Sequence, residues 1–300
     1  MTNAIGKPKS LCLFKNNMKH LTLFLVCCLL QSCANHGQLK LIDKLPKKLS
    51  ENSGIAQFTE GSAWLIEDSG NSDNIYKIDF KGNIIKHLDV KNHKNIDWED
   101  LTKDKQGNLY IGDFGNNESK RKNLVILKVS NPELEKGDKI NAKAIRFQYP
   151  EQQEFPPHRE KLLYDAEAFF HHNGQLYIFT KNRTNPFTGE SLIYRVPDKK
   201  GTYEAKLLGK INLGDDWNTS RVTSAAISPN SQTIVLLSNG KLWVITDFII
   251  DTLPDASIQE IDLGVRTQLE SVCFTSNKTL LLSDEVREGE GGNLYSYALK

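Results

Sequence analysis

A five-fold recurrence constrains this chain more than any other feature, and it is plainest in residues 97–117, DWEDLTKDKQGNLYIGDFGNN. An acidic run (Asp97, Glu99, Asp100) opens a short apolar strand, and Lys105-Gln106-Gly107-Asn108 supplies a turn. Leu109–Ile111 then alternates as a second strand and exits through Gly112-Asp113 into a Gly-Asn loop. First-strand copies recur as NSGIAQF (52–58), WEDLTKD (98–104), AEAFFHH (166–172), TSAAISP (223–229) and LESVCFT (269–275). Second-strand copies are AWLIEDS (63–69), NLYIGDF (108–114), QLYIFTK (175–181), TIVLLSN (233–239) and TLLLSDE (279–285). A unit of strands repeating every roughly 40–50 residues predicts a propeller of packed blades.

Third strands follow each pair (NIYKIDF, NLVILKV, SLIYRV, KLWVITD, NLYSYAL), and weaker fourth strands follow in four copies (IIKHLDV, AIRFQYP, AKLLGKI, SIQEIDL). The fifth copy ends after its third strand. An open ring would leave an unpaired edge, so QLKLIDK (38–44) is expected to complete the last blade. The fold class is therefore all-β: a β-propeller of five blades over 38–300, or six if the 114–165 interval hides a degenerate one. The loop around Pro156 and Pro157 is too proline-rich for a central strand and is expected to lie across one face.

Residues 1–32 read as a leader, with the natural start at Met18. Lys19 precedes an apolar run from Leu21 to Leu30 that is too short to span a bilayer. Leu30-Gln31-Ser32-Cys33 resembles the lipobox at which bacterial lipoproteins are cleaved and acylated, with Cys33 as the lipidated residue and 33–37 as a tether. The alternatives are an ordinary signal peptide or a membrane-anchored one. The expected location is the bacterial cell envelope, bound to membrane through Cys33, on the outer membrane if the source is Gram-negative. Formal net charge is +1 from 38 basic and 37 acidic residues. Removing residues 1–32 takes four lysines and no acid, giving 34 − 37 = −3. No basic excess supports a nucleic-acid partner.

Of the five cysteines, Cys12, Cys27 and Cys28 fall in the leader and Cys33 carries lipid. Cys273 is left alone in an apolar strand, where it reads as a small buried hydrophobe.

Superposing the copies places Ser53, Glu99, Glu167, Ser224 and Glu270 at one position, on the strands that line a propeller's channel. A second position, just past the second strand, reads Asp68, Asp113, Thr180, Ser238 and Asp284. Isolated carboxylates are costly to bury, so these are expected to face a wet channel. Three roles fit Glu99, Glu167, Glu270, Asp68, Asp113 and Asp284. They brace neighbouring blades, they coordinate a hard divalent cation such as Ca²⁺, or that cation serves catalysis. Lys181 and Arg183 could bind an anion in the same mouth, while His171 and His172 lie too far along blade 3 to suggest Zn²⁺.

LSENSGIA, WLIEDSGNSDNIYKIDFKGNI, NIDWEDLTKDKQGNLYIGDFGNN and YDAEAFF resemble secreted bacterial propeller lipoproteins of the SdiA-regulated, NHL and gluconolactonase-like group. The resemblance covers nearly all of the chain after the leader. It implies a propeller and, for the gluconolactonase-like members, a divalent metal held by a Glu, Asn-type ligands and an Asp. Glu99, Glu167 and Glu270 are equal candidates for that Glu, and the Asn pair is without a counterpart. The function expected is a lipid-anchored module that binds a protein or small molecule at a propeller face. The alternative is a metal-dependent hydrolase of the lactonase or phosphoesterase type.

Overall fold

The computed structural model describes residues 1–2 and 35–300. The leader, the Leu30–Cys33 motif and lipidated Cys33 therefore lie outside the described residues. Of two compact units, Met1–Asn35 and His36–Lys300, the second is described here.

Five antiparallel blades form a propeller. Their inner strands are Asn52–Ala56, Trp98–Lys103, Asp165–His172, Ser224–Ile227 and Leu269–Phe274, in ring order. All five second strands fall within a residue or two of the repeat copies. No sixth blade occupies 114–165, which instead supplies the third and fourth strands of blade 2, Val125–Val129 and Ala142–Gln148.

The pleat explains why blade strands read as almost continuous apolar runs. Successive side chains point to opposite faces, and each blade packs on a neighbour at both faces. Ile111 joins Trp64 and Trp98 between blades 1 and 2, whereas its neighbour Tyr110 joins Phe169 and Tyr194 between blades 2 and 3. Phe170 and Trp243 fill the next interface, Leu237 and Tyr295 the one after it. Ile55, Leu65 and Leu294 then close blade 5 on blade 1. A lone blade would expose two such faces, so the core exists only in the closed ring.

Closure occurs as the truncated fifth repeat predicts. Lys40–Lys44 pairs antiparallel with Asn293–Ala298, Leu41 opposite Tyr295 and Lys44 opposite Asn293, with a bulge between Leu41 and Asp43. Just before it, the Gln38 backbone N–H donates to the Leu263 carbonyl at 2.7 Å, tying the entry to blade 4. Two connectors add parallel outer strands that the repeat does not announce. Lys139–Ile140 joins blade 1 and Gly201–Glu204 joins blade 2, each shielding an edge.

Blades also interlock at the axis. Ser53 Oγ of blade 1 donates to the Glu99 carbonyl of blade 2 at 2.6 Å. Asn52 Nδ2 donates to the Asp284 carbonyl of blade 5 at 2.9 Å. Gly54 is required here, because a Cβ at that position would lie 2.6 Å from the Leu101 nitrogen of blade 2.

Candidate functional site

Asp100 divides the channel. Its fully buried carboxylate accepts the Leu101 N–H at 2.8 Å and the Ser224 hydroxyl at 3.0 Å on Oδ1. On Oδ2 it accepts the N–H groups of Phe169 at 3.2 Å and Ala225 at 3.3 Å. Ser224 Oγ in turn accepts the Val272 N–H of blade 5 at 3.1 Å. Blades 2, 3, 4 and 5 thus meet in one polar plug. Burial raises the Asp100 pKa well above the usual carboxylate range, and the four donors act against that.

On one side of the plug lies a wide cavity of about 1340 Å³. Half-buried Cys273 lines it, its thiol pushed up to about 12 by burial. His171 lines it too, with Nε2 3.0 Å from Asp198 Oδ2. Asp104, His171 and Asp198 offer ligand atoms within 4.8 Å of one another. Their carboxylates are already engaged by the Tyr110 hydroxyl, at 2.9 Å to Asp104 and 3.0 Å to Asp198. This cluster buttresses blades 2 and 3.

On the other side is a polar cavity of about 230 Å³, lined by Ser53, Glu99, Glu167 and Glu270 from the inner strands. A β-bulge explains why they face it. In blades 1, 2, 3 and 5 the register shifts at Ser53, Glu99, Glu167 and Glu270 themselves. A bulged residue leaves the ladder and its side chain is re-aimed. In blade 4 Ser224 pairs with Leu237 as Asp100 pairs with Gly112 and Gly54 with Ile66, so it stands one residue past the ring position and sits in the plug. Thr223 takes the ring position and donates its Oγ1 to the Leu269 carbonyl of blade 5 at 2.6 Å. The expected first ring thus loses Ser224 to the layer below.

The second ring needs a larger correction. Asn52 pairs with Glu67, as Trp98 pairs with Asp113 and Leu269 with Asp284. The blade 1 copy therefore runs 62–68, one residue earlier than the sequence match on Asp68 suggests. A one-residue slip turns a side chain to the other face of a strand. Asp68 belongs with Lys181, Asn239 and Glu285, and these four line the cavity. Asp113 and Asp284 turn into the blades. Asp113 pairs with Arg121 at 2.7 Å, and Asp284 accepts the Asn293 N–H at 2.7 Å and the Tyr295 hydroxyl at 2.9 Å. Burial raises both of their pKa values, opposed by those partners. They are braces rather than channel groups.

Charge within the mouth is segregated. Glu167 is held by Lys181 and by Arg183, the latter at 2.8 Å, and Arg183 also binds Asp165 at 2.7 Å. Asp165 is pushed up to about 7 by burial and by Glu167, against the pull of Arg183. Lys181 and Arg183, read from sequence as a possible anion site, are thereby occupied. Glu270 is pushed up to about 7, by burial against the pull of Lys181. Glu285 is pushed up to about 9, by burial and then by Glu270, while accepting Gln268 Nε2 at 2.5 Å.

The corner between blades 1 and 2 differs. Asp68, Asp97 and Glu99 place one carboxylate oxygen each within 4.8 Å of the others. Glu99 is 5% exposed, yet among the described residues its carboxylate has no hydrogen-bond donor or ion-pair partner. Its pKa is raised well above the usual range, by burial and then by the Glu167 and Asp68 charges. Burial likewise pushes Asp68 up to about 6, and it raises Asp97 against the pull of Arg121. Gly115 roofs this corner, since a Cβ there would collide with Glu99 Oε1 and Asp97. Three clustered carboxylate oxygens with an open side suit a hard cation such as Ca²⁺. Asp97, visible in the acidic run but one residue outside the repeat copy 98–104, is the member that sequence superposition missed.

No protein-family model and no curated protein matches the chain. Solved structures do. The PQQ-bound aldose sugar dehydrogenase of Streptomyces coelicolor aligns at 9% identity over 87% of this chain and 97% of that one, with a TM-score of 0.51. Regucalcin, a calcium-binding protein of Agrobacterium tumefaciens, aligns at 13% identity over 88% and 94%, with a TM-score of 0.47. Virginiamycin B lyase of Staphylococcus aureus, bound to quinupristin, aligns at 14% identity over 84% and 67%, with a TM-score of 0.40. The likeness to the dehydrogenase, at 9% identity, shows the propeller architecture alone and leaves activity to the residues of the site.

Proposed function

We propose that the protein is a divalent-cation-dependent propeller acting on a small molecule at the mouth formed by Asp68, Asp97 and Glu99. The observation that carries this reading is the Glu99 carboxylate: buried, without a partner among the described residues, and grouped with two others. An uncompensated buried charge is strongly unfavourable, and a cation would offset the repulsion of all three. Asp113 is neutralised by Arg121 and Glu167 by Lys181 and Arg183, while Asp284 is turned into its blade by hydrogen bonds from Asn293 and Tyr295, so all three fall out of the ligand set. Ca²⁺ is the cation that the oxygen-only donors favour.

Hydrolysis, of the lactonase or phosphoesterase kind, is the reaction that these residues are equipped for. Bound cation supplies polarisation of a carbonyl or phosphoryl oxygen. Glu270, titrating at about 7 in the same cavity, is suited to take a proton from an attacking water. A binding module without turnover keeps the same corner and dispenses with Glu270. The Leu30–Cys33 motif supports a setting on the envelope membrane, with the propeller tethered close to it.

Calorimetric titration with Ca²⁺ tests the reading. Saturable binding is expected, lost on Glu99→Gln and blocked by Gly115→Ala, whose methyl group enters the corner. Wild-type protein that shows no heat with Ca²⁺, Mg²⁺ or Mn²⁺ would remove the cation and the hydrolase with it. Loss of ester hydrolysis but not of Ca²⁺ binding in Glu270→Gln separates the enzyme from the module.

A further inference from the structure

The same mouth also holds positive charge that the chain leaves unused. Arg221 precedes the inner strand of blade 4 and lines the cavity. Its Nε donates to the Trp217 carbonyl at 2.7 Å, and its guanidinium lies 4.2 Å from the centroid of the Trp217 ring. Stacking and that one bond fix the plane of the fork. Among the described residues, its two terminal nitrogens have no acceptor and no carboxylate lies within ion-pair distance. Arg287, from the blade 5 loop, also lines the cavity and reaches only Gln268 Oε1, at 3.1 Å.

One cavity of about 230 Å³ is thus lined by the Glu99 carboxylate and by guanidinium groups that, among the described residues, have no ion-pair partner. They do not neutralise one another because the ring keeps them apart. In a five-blade ring, blade 4 stands across the axis from the boundary between blades 1 and 2. Arg221 therefore faces the Asp68–Asp97–Glu99 corner from the far side. Trp217, which stacks on Arg221, is 41% exposed and meets Phe187 edge-on with ring centroids 5.4 Å apart, an apolar surface beside the guanidinium.

We infer that the mouth takes a small organic oxyanion: a carboxylate or phosphate seated on Arg221, an apolar ring against Trp217, and a further oxygen turned toward the cation corner. This deepens the proposed function and rests on it. A neutral ligand would leave the fixed guanidinium without an acceptor, and a polyanion would meet Glu270 and Glu285 on the same wall. A planar fork with two free N–H edges matches a carboxylate or a phosphate oxygen pair.

The test uses purified full-length protein and calorimetry, first with Ca²⁺ alone, then with phenyl phosphate, benzoate and neutral benzyl alcohol in saturating Ca²⁺. Phenyl phosphate or benzoate is expected to bind and benzyl alcohol is not; the better of the two anions identifies the head group. Arg221→Ala should weaken the bound anion about tenfold or more, and Trp217→Ala should weaken it less. If circular dichroism shows Arg221→Ala unfolded, Arg221→Lys replaces it, with a loss of about threefold or more expected because one ammonium cannot form the paired contact. Wild-type protein that binds Ca²⁺ but neither anion overturns the inference and leaves the cation site standing. Failure to bind Ca²⁺ overturns both. Anion affinity unchanged by the Arg221 substitution overturns the inference alone.

Discussion

Asp100 and Ser224 meet across the propeller axis, the hydroxyl of one blade donating to the carboxylate of another at 3.0 Å. They come from blades 2 and 4, which are not neighbours in the ring. Their bond spans the channel that an open propeller would leave empty. It separates the wide cavity around Cys273 from the charged mouth around Glu99. The mouth therefore has a layer of buried polar groups at its base.

Removing that carboxylate should destabilise the whole ring. Asp100→Ala leaves the Phe169 and Ala225 N–H groups without an acceptor, at about 1–3 kcal/mol for each orphaned group. Asp100→Asn should be little better, since its amide would point a donor at donors. Chemical denaturation of both variants measures this, and an Asn variant as stable as wild type would show that the charge is dispensable.

Chelation should lower the melting temperature. A ligand that binds only the folded state stabilises it by mass action, so stripping a bound cation removes that contribution. Changing Glu99 and Glu270 together to Gln should abolish the sensitivity and raise the metal-free melting point, because two buried charges disappear. A wild-type melt indifferent to chelator, with no metal in the protein by elemental analysis, contradicts the cation site.

Stability should fall as pH rises from about 4 to about 9. Asp68 titrates at about 6, Asp165 and Glu270 at about 7, and Glu285 at about 9 in the folded protein. The same groups titrate near 4 when unfolded. Between those limits the folded state holds protons that the unfolded state has lost, so the slope of unfolding free energy against pH is negative. Saturating Ca²⁺ should flatten the slope, since the cation favours the ionised forms. Melting curves between pH 5 and 9, with and without Ca²⁺, decide the sign.

Deleting residues 38–44 should uncover the backbone edge of Asn293–Ala298. Leu39 also leaves the core between blades 4 and 5, and Ile42 leaves the one between blades 5 and 1. Aggregation and a lower melting temperature are expected. Light scattering that shows a monodisperse truncated protein would mean that another segment caps blade 5.

Cys33→Ser should release the protein from membranes or stop its maturation. One acyl chain anchors marginally and several anchor stably, so the acylated form should sediment with membrane. Fractionation and processing identical to wild type would exclude lipidation at Cys33.

The sequence by itself determined the blades and their closure, and left a sixth blade in 114–165 open until the structure assigned that stretch to blade 2. Those properties follow from local periodicity and from one count: the repeat runs out after NLYSYAL, and a strand must be borrowed from QLKLIDK. It also placed Glu99, Glu167 and Glu270 at one level, because the bulged position recurs at the same step of each copy. Tertiary structure decided which carboxylates matter. Glu67 and Asp68 are adjacent acids, and matching on Asp put blade 1 one residue out of register, although only Asp68 faces the mouth. In blade 4 the match in TSAAISP is also one residue out of register, because the pairing of Ser224 with Leu237 aligns Ser224 with Asp100 in the plug rather than with Glu99. Whether a carboxylate is neutralised depends on which chain segment of its own blade returns a cation beside it, as Arg121 does for Asp113 and Arg183 for Glu167. Among the described residues Glu99 stays unpaired. Its corner joins Asp68 of blade 1 to Asp97 and Glu99 of blade 2, so it exists only once neighbouring blades have packed together.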